Sequence, residues 1–149
     1  MNTAIKTMYK TFLAAALLAG FTANAQKKTI TVTQLPAAAQ TFIKTHFAGQ
    51  NADYIVEDKG LLDTDYEVRL ANGTEIEFDE KGNWDEIDGN RNILPTAIIP
   101  KGIATYTTAN YKGHNVVKID KKRSGYEVEL SNGVELEFDT AGKFLRLDD

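Results

Sequence analysis

The spacing of apolar residues changes from helix-like to strand-like twice along this chain. After Pro36, apolar positions recur every three or four residues up to Gly49, as on one face of a helix. A similar stripe follows Pro100 and runs to Gly113. Each stripe gives way to a stretch in which apolar and polar residues alternate, as in strands with one buried face. Each half of the chain therefore predicts a helix followed by several strands.

The strand-rich parts contain a duplicated block. Residues 66–79 read YEVRLANGTEIEFD and residues 126–139 read YEVELSNGVELEFD, so ten of fourteen positions are identical. The block follows a first strand predicted at Ala52–Val56 in one half and at Val116–Asp120 in the other. A match this dense predicts two copies of one supersecondary unit, each burying its core against its neighbour.

The turn inside the block fixes which residues share a face of the sheet. A two-residue Asn-Gly loop would mix apolar and charged residues on both faces. A three-residue loop, Ala71–Gly73 or Ser131–Gly133, with a left-handed glycine in a bulge, puts the apolar residues on one face. It pairs Leu70 with Thr74, Val68 with Ile76 and Tyr66 with Phe78. We therefore predict the three-residue loop in both copies, because a one-residue slip would turn a strand inside out.

A last strand follows the second turn of each copy, Asp79–Gly82 or Asp139–Gly142. Its apolar residues are three positions apart rather than two, which predicts a bulge in both copies. Trp84, the only tryptophan, matches Phe144 and is predicted to lie in the core.

The other face of the predicted sheet is mostly acidic. Its members are Glu67, Arg69, Glu75, Glu77, Glu127, Glu129, Glu135 and Glu137. We expect repeat two to be the more acidic side, because it has Glu129 where repeat one has Arg69. Three interpretations are open: a solvated face that neighbouring lysines such as Lys118 relieve, a binding face for a basic surface, or a cation site.

The N-terminus predicts export. Lys6 and Lys10 precede the apolar run Phe12–Phe21, and Ala23–Ala25 is a small-x-small cleavage site. The run is far shorter than the roughly 20 residues of a transmembrane helix. We expect a signal peptide over residues 1–25, cleaved after Ala25, and a periplasmic or secreted product without membrane insertion.

The net charge and the lack of cysteine limit the classes of partner and site that the chain can have. The net charge of −4 becomes −6 after cleavage, since residues 1–25 hold two lysines and no acid. This sign argues against nucleic acid and anionic lipid as partners. The chain has no cysteine, which excludes disulfides and thiolate sites.

Patterns that indicate catalysis are missing from the sequence. The histidines, His46 and His114, are isolated, and Ser124 and Ser131 lie in predicted turns without a histidine nearby in sequence to activate either one. No phosphate loop or paired-histidine metal motif occurs. We predict no enzyme, no cofactor and no metal.

Each repeat has a helix that follows Leu35-Pro36 or Ile99-Pro100, then a strand, then YEVxLxNGxExEFDxxGx ending in Trp84 or Phe144. This order, which occurs twice after a signal peptide, resembles the PepSY-like, β-lactamase-inhibitor-like family. The resemblance implies an α+β fold of two tandem repeats, each a helix packed on an antiparallel meander, with the sheets adjoining and one face open. We place the repeats at 26–90 and 91–149. The resemblance also implies how binding would occur, since inhibitor relatives bind an enzyme through that open face.

We therefore expect a non-enzymatic binding module that recognises a protein or peptide through the acidic open face, as an inhibitor or regulator of an envelope enzyme. The negative charge allows a basic partner but does not require one. The alternative is a small-ligand or cation-binding protein that uses the groove between the repeats. No inhibitory loop motif is present, and the face offers glutamates where an inhibitor would present aromatic anchors. The sequence does not indicate an oligomeric state.

Overall fold

Both predicted helices form in the computed structural model, which describes residues 26–148. Helix α1 spans Ala37–His46 and helix α2 spans Lys101–Asn110. Each starts directly after a proline, whose fixed φ suits a helix start. Each ends three residues before the glycine that the sequence indicated, and short 3-10 turns, Val32–Gln34 and Thr96–Ile98, precede them. The predicted signal peptide lies outside the described residues.

The strands form one antiparallel sheet. In chain order they are β1 Gln26–Thr29, β2 Ala52–Lys59, β3 Thr64–Leu70, β4 Glu75–Phe78, β5 Trp84–Asp88, β6 Val116–Lys122, β7 Gly125–Leu130, β8 Glu135–Asp139 and β9 Phe144–Asp148. Each strand pairs with the next, so chain order and sheet order are the same. The sheet is not closed, and β1 and β9 are its edges. The predicted combination of helices with an antiparallel sheet is confirmed.

The predicted register is also confirmed. Val68 lies opposite Ile76 and Tyr66 opposite Phe78, and the Leu70 amide donates to the Thr74 carbonyl over 2.8 Å. The copy in repeat two has the same pairing. The loop glycines, at positions 73 and 133, have φ of 89° and 81°, as a left-handed bulge position requires. Register shifts in the β4–β5 and β8–β9 pairs confirm a bulge in each last strand.

The helices cover one face of the sheet and bury its apolar residues. Phe42 of α1 meets Phe78 edge-on, with ring centroids 5.8 Å apart, and Tyr106 of α2 meets Phe138 at 5.6 Å in the same orientation. The repeats therefore pack their helices in the same way. Trp84 is at the margin of this core, only partly buried, with the Lys121 ammonium 4.8 Å from its ring centroid.

Strands β5 and β6 join the two copies. Ile87 pairs with Ile119, and Asp88 with Lys118, so the sheet runs without interruption from one repeat into the other. Strand β1 was not predicted, because its sequence, QKKT, does not alternate. It forms because β2 is long enough to pair with it as far as Lys59.

Candidate functional site

The eight predicted surface residues share the sheet face that neither helix covers. They form four directly opposed pairs, as the register predicts: Glu67 with Glu77, Arg69 with Glu75, Glu127 with Glu137, and Glu129 with Glu135. Three of the four pairs are like-charged, which costs roughly 0.2–1 kcal/mol each when the charges are directly opposite. We call this surface the open face.

The full register extends these pairs into an uninterrupted row. Six neighbouring strands, β3 to β8, each contribute one carboxylate at the same level: Glu67, Glu77, Glu86, Asp120, Glu127 and Glu137. We call this set the carboxylate row. Because neighbouring strands lie about 4.8 Å apart, each carboxylate has a like charge close on both sides except at the ends.

A few cations neutralise parts of the open face. The Lys118 ammonium lies 2.7 Å from a Glu86 oxygen and 3.9 Å from one of Asp88. Lys122 pairs with Asp120 and with Glu127, the latter at 3.2 Å. Lys122 thus relieves one of the predicted acids, Glu127, from the neighbouring strand, whereas Lys118 makes its ion pairs with Glu86 and Asp88 rather than with any of the eight predicted residues.

Two arginines pair at the flanks. Arg69 lies 2.8 Å from Glu75, and Arg146 lies 2.7 Å from Glu137. At the β3 end of the row, the Tyr54 hydroxyl donates to Glu67 over 2.9 Å. Within residues 26–148, no basic side chain lies within 4.0 Å of the Glu77 carboxylate. Glu77 is therefore the least compensated carboxylate in the middle of the row.

The electrostatics follow this pattern. Partial desolvation, and then the charges of Glu86 and Glu67, raise the pKa of the Glu77 carboxyl. Hydrogen bonds to carboxylates raise the pKa of the ammonium groups of Lys118 and Lys122. The row thus favours added positive charge or added protons at its centre.

The expectation that repeat two is the more acidic side is wrong for the whole open face. Strands β6–β9 add Lys118, Lys122 and Arg146 to their acids, whereas β3–β5 have only Arg69. The expectation considered only the duplicated block, and these three cations lie on the strands outside it.

Sequence reasoning missed Glu86, Asp88 and Asp120 as members of this face. Asp120 and Lys118 alternate with the buried Ile119, so continuing the alternation along β6 would have found Asp120. In β5, the bulge breaks the alternation after Trp84, and only the observed register shows that Glu86 and Asp88 return to the open face.

A tighter group of acids lies where the open face meets β9. Carboxylate oxygens of Glu127, Glu137 and Asp148 all lie within 4.8 Å of one another. Two oxygens on opposite sides of a calcium ion are separated by about this distance, because calcium–oxygen bonds measure roughly 2.3–2.6 Å. The three side chains are partly buried, and Arg146 already pairs with Glu137.

A polar cavity of about 450 Å³ lies between the repeats, at the end of the sheet. Asp88, Asn90 and Arg91 line one side, and Glu129 and Ser131 line the other. It is the groove that a small ligand between the repeats would use. The three-carboxylate group lies elsewhere, within repeat two.

Two of the isolated residues, His46 and Ser131, make local contacts within the fold. The His46 ring packs on Phe42, with centroids 4.7 Å apart. The Ser131 hydroxyl accepts a hydrogen bond from the Asn115 amide over 3.1 Å.

Neither helix between residues 26 and 148 has the length and apolar character that a bilayer crossing requires.

A family model described as "Putative beta-lactamase-inhibitor-like, PepSY-like" matches the chain over residues 21–72 and 64–146. The two matches agree with a tandem repeat. No curated protein is significantly similar to the chain.

Three solved structures from Bacteroides species have the same fold, and each aligns with 83% of this chain. One, from Bacteroides thetaiotaomicron, is described as a "putative calcium-regulated periplasmic protein" and is 42% identical, with 97% of its chain covered and a TM-score of 0.79. Two from Bacteroides vulgatus, both described as periplasmic, are 38% and 44% identical, with 98% and 100% covered and TM-scores of 0.79 and 0.78. One of these two is described as having unknown function.

Proposed function

The chain belongs to the PepSY-like, β-lactamase-inhibitor-like family, and on that premise we propose that it is a non-enzymatic binding protein of the bacterial envelope. It binds a basic surface of a partner protein on its open face. The periplasmic description of three similar structures supports this location.

The observation that carries this proposal is the carboxylate row. Six acids at one level of six neighbouring strands repel one another in the free protein. A partner that presents lysines or arginines relieves this repulsion on docking, so electrostatic complementarity favours it over acidic competitors and speeds association. Because such contacts are screened beyond about 8 Å at physiological ionic strength, the association rate falls with salt.

The partner we propose is an envelope enzyme that this protein inhibits or otherwise regulates. The family description supports this class, since the inhibitor-like name refers to proteins that bind enzymes. The open face spans six neighbouring strands, which suits a protein surface better than a small substrate, since small substrates are bound in concave pockets.

Charge reversal on the open face tests the proposal. Glu129→Lys combined with Glu135→Lys changes two opposed acids that make no ion pair within residues 26–148. We expect the double variant to lose partners that wild-type protein captures from an envelope extract. The captured enzyme, once identified, is then assayed with and without the protein.

Asp63→Lys combined with Glu80→Lys is the matched control. It makes the same change in net charge, at exposed positions outside the strands. The proposal requires that the control retain the partner and that the open-face variant lose it. If both variants retain the partner, the open face is not the binding surface.

A second candidate function is binding of a divalent cation, calcium first. The observation that favours it is the group formed by Glu127, Glu137 and Asp148, together with the calcium-regulated description of a 42% identical structure. Three carboxylates supply three to six of the six to eight oxygens that calcium takes, and water supplies the others. The ion would compete with Arg146 for Glu137.

Calcium titration monitored by thermal unfolding tests this candidate. At 100 times its dissociation constant, a ligand adds roughly 2.7 kcal/mol to the free energy of unfolding. Glu127→Gln should abolish the shift, whereas Glu67→Gln, at the corresponding position of repeat one, should leave it intact. Absence of any shift in the wild-type protein ends this candidate without affecting the first.

A further inference from the structure

The last strand, β9, is the second edge of the sheet, and it carries exposed leucines next to its charged residues. Leu145 and Leu147 are 53% and 51% exposed. The opposite edge, β1, has the sequence QKKT and is exposed at every position, which is the charged edge that discourages pairing. A groove of about 810 Å³ also opens between α2 and Phe144, the first residue of β9. Apolar surface is thus concentrated at one of the two edges.

The chain itself shows what covers the equivalent edge in repeat one. β5 corresponds to β9, and β6 pairs with it. Ile119 lies opposite Ile87, which is fully buried, and Lys118 approaches Asp88 to 3.9 Å. The next strand thus supplies one aliphatic side chain and one cation.

At β9, both of these contributions are missing. Leu147, the counterpart of Ile87, is half exposed. Asp148, the counterpart of Asp88, has no basic side chain within 4.0 Å in the described part of the chain. The Arg146 side chain is on the same face, where it contacts Glu137 over 2.7 Å and remains 69% exposed.

We propose that β9 pairs antiparallel with β9 of a second copy of this chain, about a two-fold axis at Leu147. The second copy then supplies what β6 supplies to β5. The partner's Leu147 covers Leu147, and the partner's Arg146 meets Asp148. Symmetry repeats the ion pair on the other side, and the two sheets become continuous across a closed, isologous dimer.

Charge selects this register among those that self-pairing allows. Centring the axis on Arg146 would oppose two arginines, and centring it on Asp148 would oppose two aspartates, both unfavourable. Centring it on Leu145 would put Phe144, which faces the helices, opposite Arg146, which faces away. The axis at Leu147 pairs opposite charges twice and keeps every residue on its own face.

Cysteine cross-linking tests the register, because the chain has no cysteine of its own. In Leu147→Cys, the two thiols lie directly opposite, with Cα atoms about 4.5–5.5 Å apart, within disulfide range. Leu145→Cys is the matched control, since its exposure is nearly equal. Its two copies are offset by about 13 Å along the strands, beyond disulfide reach.

We expect sedimentation equilibrium of the purified protein to give twice the monomer mass, with concentration-dependent dissociation. Oxidation should convert Leu147→Cys to a covalent dimer much faster than Leu145→Cys. Monomer at every concentration, or equal cross-linking rates for the two variants, overturns the proposal.

A charge swap tests the two ion pairs independently. Arg146→Asp and Asp148→Arg each place like charges opposite and should raise the dimer dissociation constant about tenfold or more. The double variant, Arg146→Asp with Asp148→Arg, restores both pairs and should dimerise nearly as the wild type does. A double variant that is no better than the single variants overturns the proposed register. Thermal unfolding of each variant identifies any that fail to fold, and for these the cysteine pair provides the answer.

Discussion

Ile87 in β5 and Leu147 in β9 occupy the same position in the two repeats, yet Ile87 is fully buried and Leu147 is 51% exposed. Both lie opposite an aliphatic residue of the preceding strand, Ile76 or Leu136. Only Ile87 has a following strand, in which Ile119 pairs with it. The neighbouring strand, rather than the local sequence, therefore decides how far each side chain is buried and how much it contributes to the stability of the fold.

Truncating these two residues should therefore have very different costs. Ile87→Ala removes a completely buried side chain and should lower the free energy of unfolding by about 2–5 kcal/mol. Leu147→Ala should cost less than about 1 kcal/mol in the monomer, because half of the side chain is already in water. Urea unfolding of both variants at low protein concentration measures the difference. Equal losses would mean that β9 is covered in solution.

Glu77→Gln should stabilise the protein at neutral pH. A raised pKa means that the folded state holds its proton more tightly than the unfolded chain does. The charged form therefore lowers stability as pH rises from the ordinary carboxyl pKa through the raised value. Removing the charge should recover a few tenths of a kcal/mol at pH 7, because the side chain is largely exposed and the repulsion is screened.

Below the ordinary pKa of a glutamate, this gain should disappear, since the wild-type side chain is then neutral in both states. Urea unfolding of wild type and variant at pH 7 and at about pH 3.5 tests the sign. Glu80→Gln, in an exposed turn, is the control and should show no such dependence. A gain that is equal at both pH values would contradict the electrostatic origin.

Gly82→Ala should be more harmful than Gly142→Ala, although the two glycines occupy the same turn in the two repeats. Their φ angles are 82° and 78°, so both variants incur the left-handed penalty of about 1–2 kcal/mol. A Cβ on Gly82 would approach the Ala39 nitrogen to 2.7 Å, whereas on Gly142 its nearest contact is 3.5 Å. The clash should add about 1–3 kcal/mol, which thermal or urea unfolding can resolve.

The reason lies in the helix that faces each turn. In repeat two, α2 has Gly102 at the close approach, and a Cβ there would lie 2.6 Å from the Gly142 carbonyl oxygen. In repeat one, α1 has Ala38 at that position, so the turn must supply the space. Gly102→Ala should therefore destabilise repeat two, and similar tolerance of all three variants would contradict this explanation.

Lys118→Met should destabilise the joint between the repeats. It leaves Glu86 and Asp88 without their cation, and we expect a loss of about 0.5–1 kcal/mol at low salt. Adding Glu86→Gln should recover part of this loss, because it removes one of the two unpaired charges. Urea unfolding of both single variants and the double variant gives the coupling energy, which should shrink at high salt.

Much of the fold could be predicted from the sequence because the duplicated block constrains itself. Successive side chains of a regular strand point to opposite faces of the sheet. A loop length that puts Val68, Ile76 and Phe78 on one face therefore fixes every residue pair of the block in both copies. The eight residues of the open face followed from the same argument. The bulge at Trp84 hid Glu86 and Asp88, since a single extra residue reverses parity beyond it.

The sequence by itself determined the two repeats, their helices and the register within each, because these depend on periodicity and turn chemistry over a few residues. Only the tertiary structure decided that β5 pairs with β6. That pairing buries Ile87, extends the carboxylate row from Glu86 to Asp120, and leaves β9 as an open edge. Two strands at corresponding positions of the repeats thus differ in burial and charge compensation because these come from the strand alongside, which local sequence does not specify.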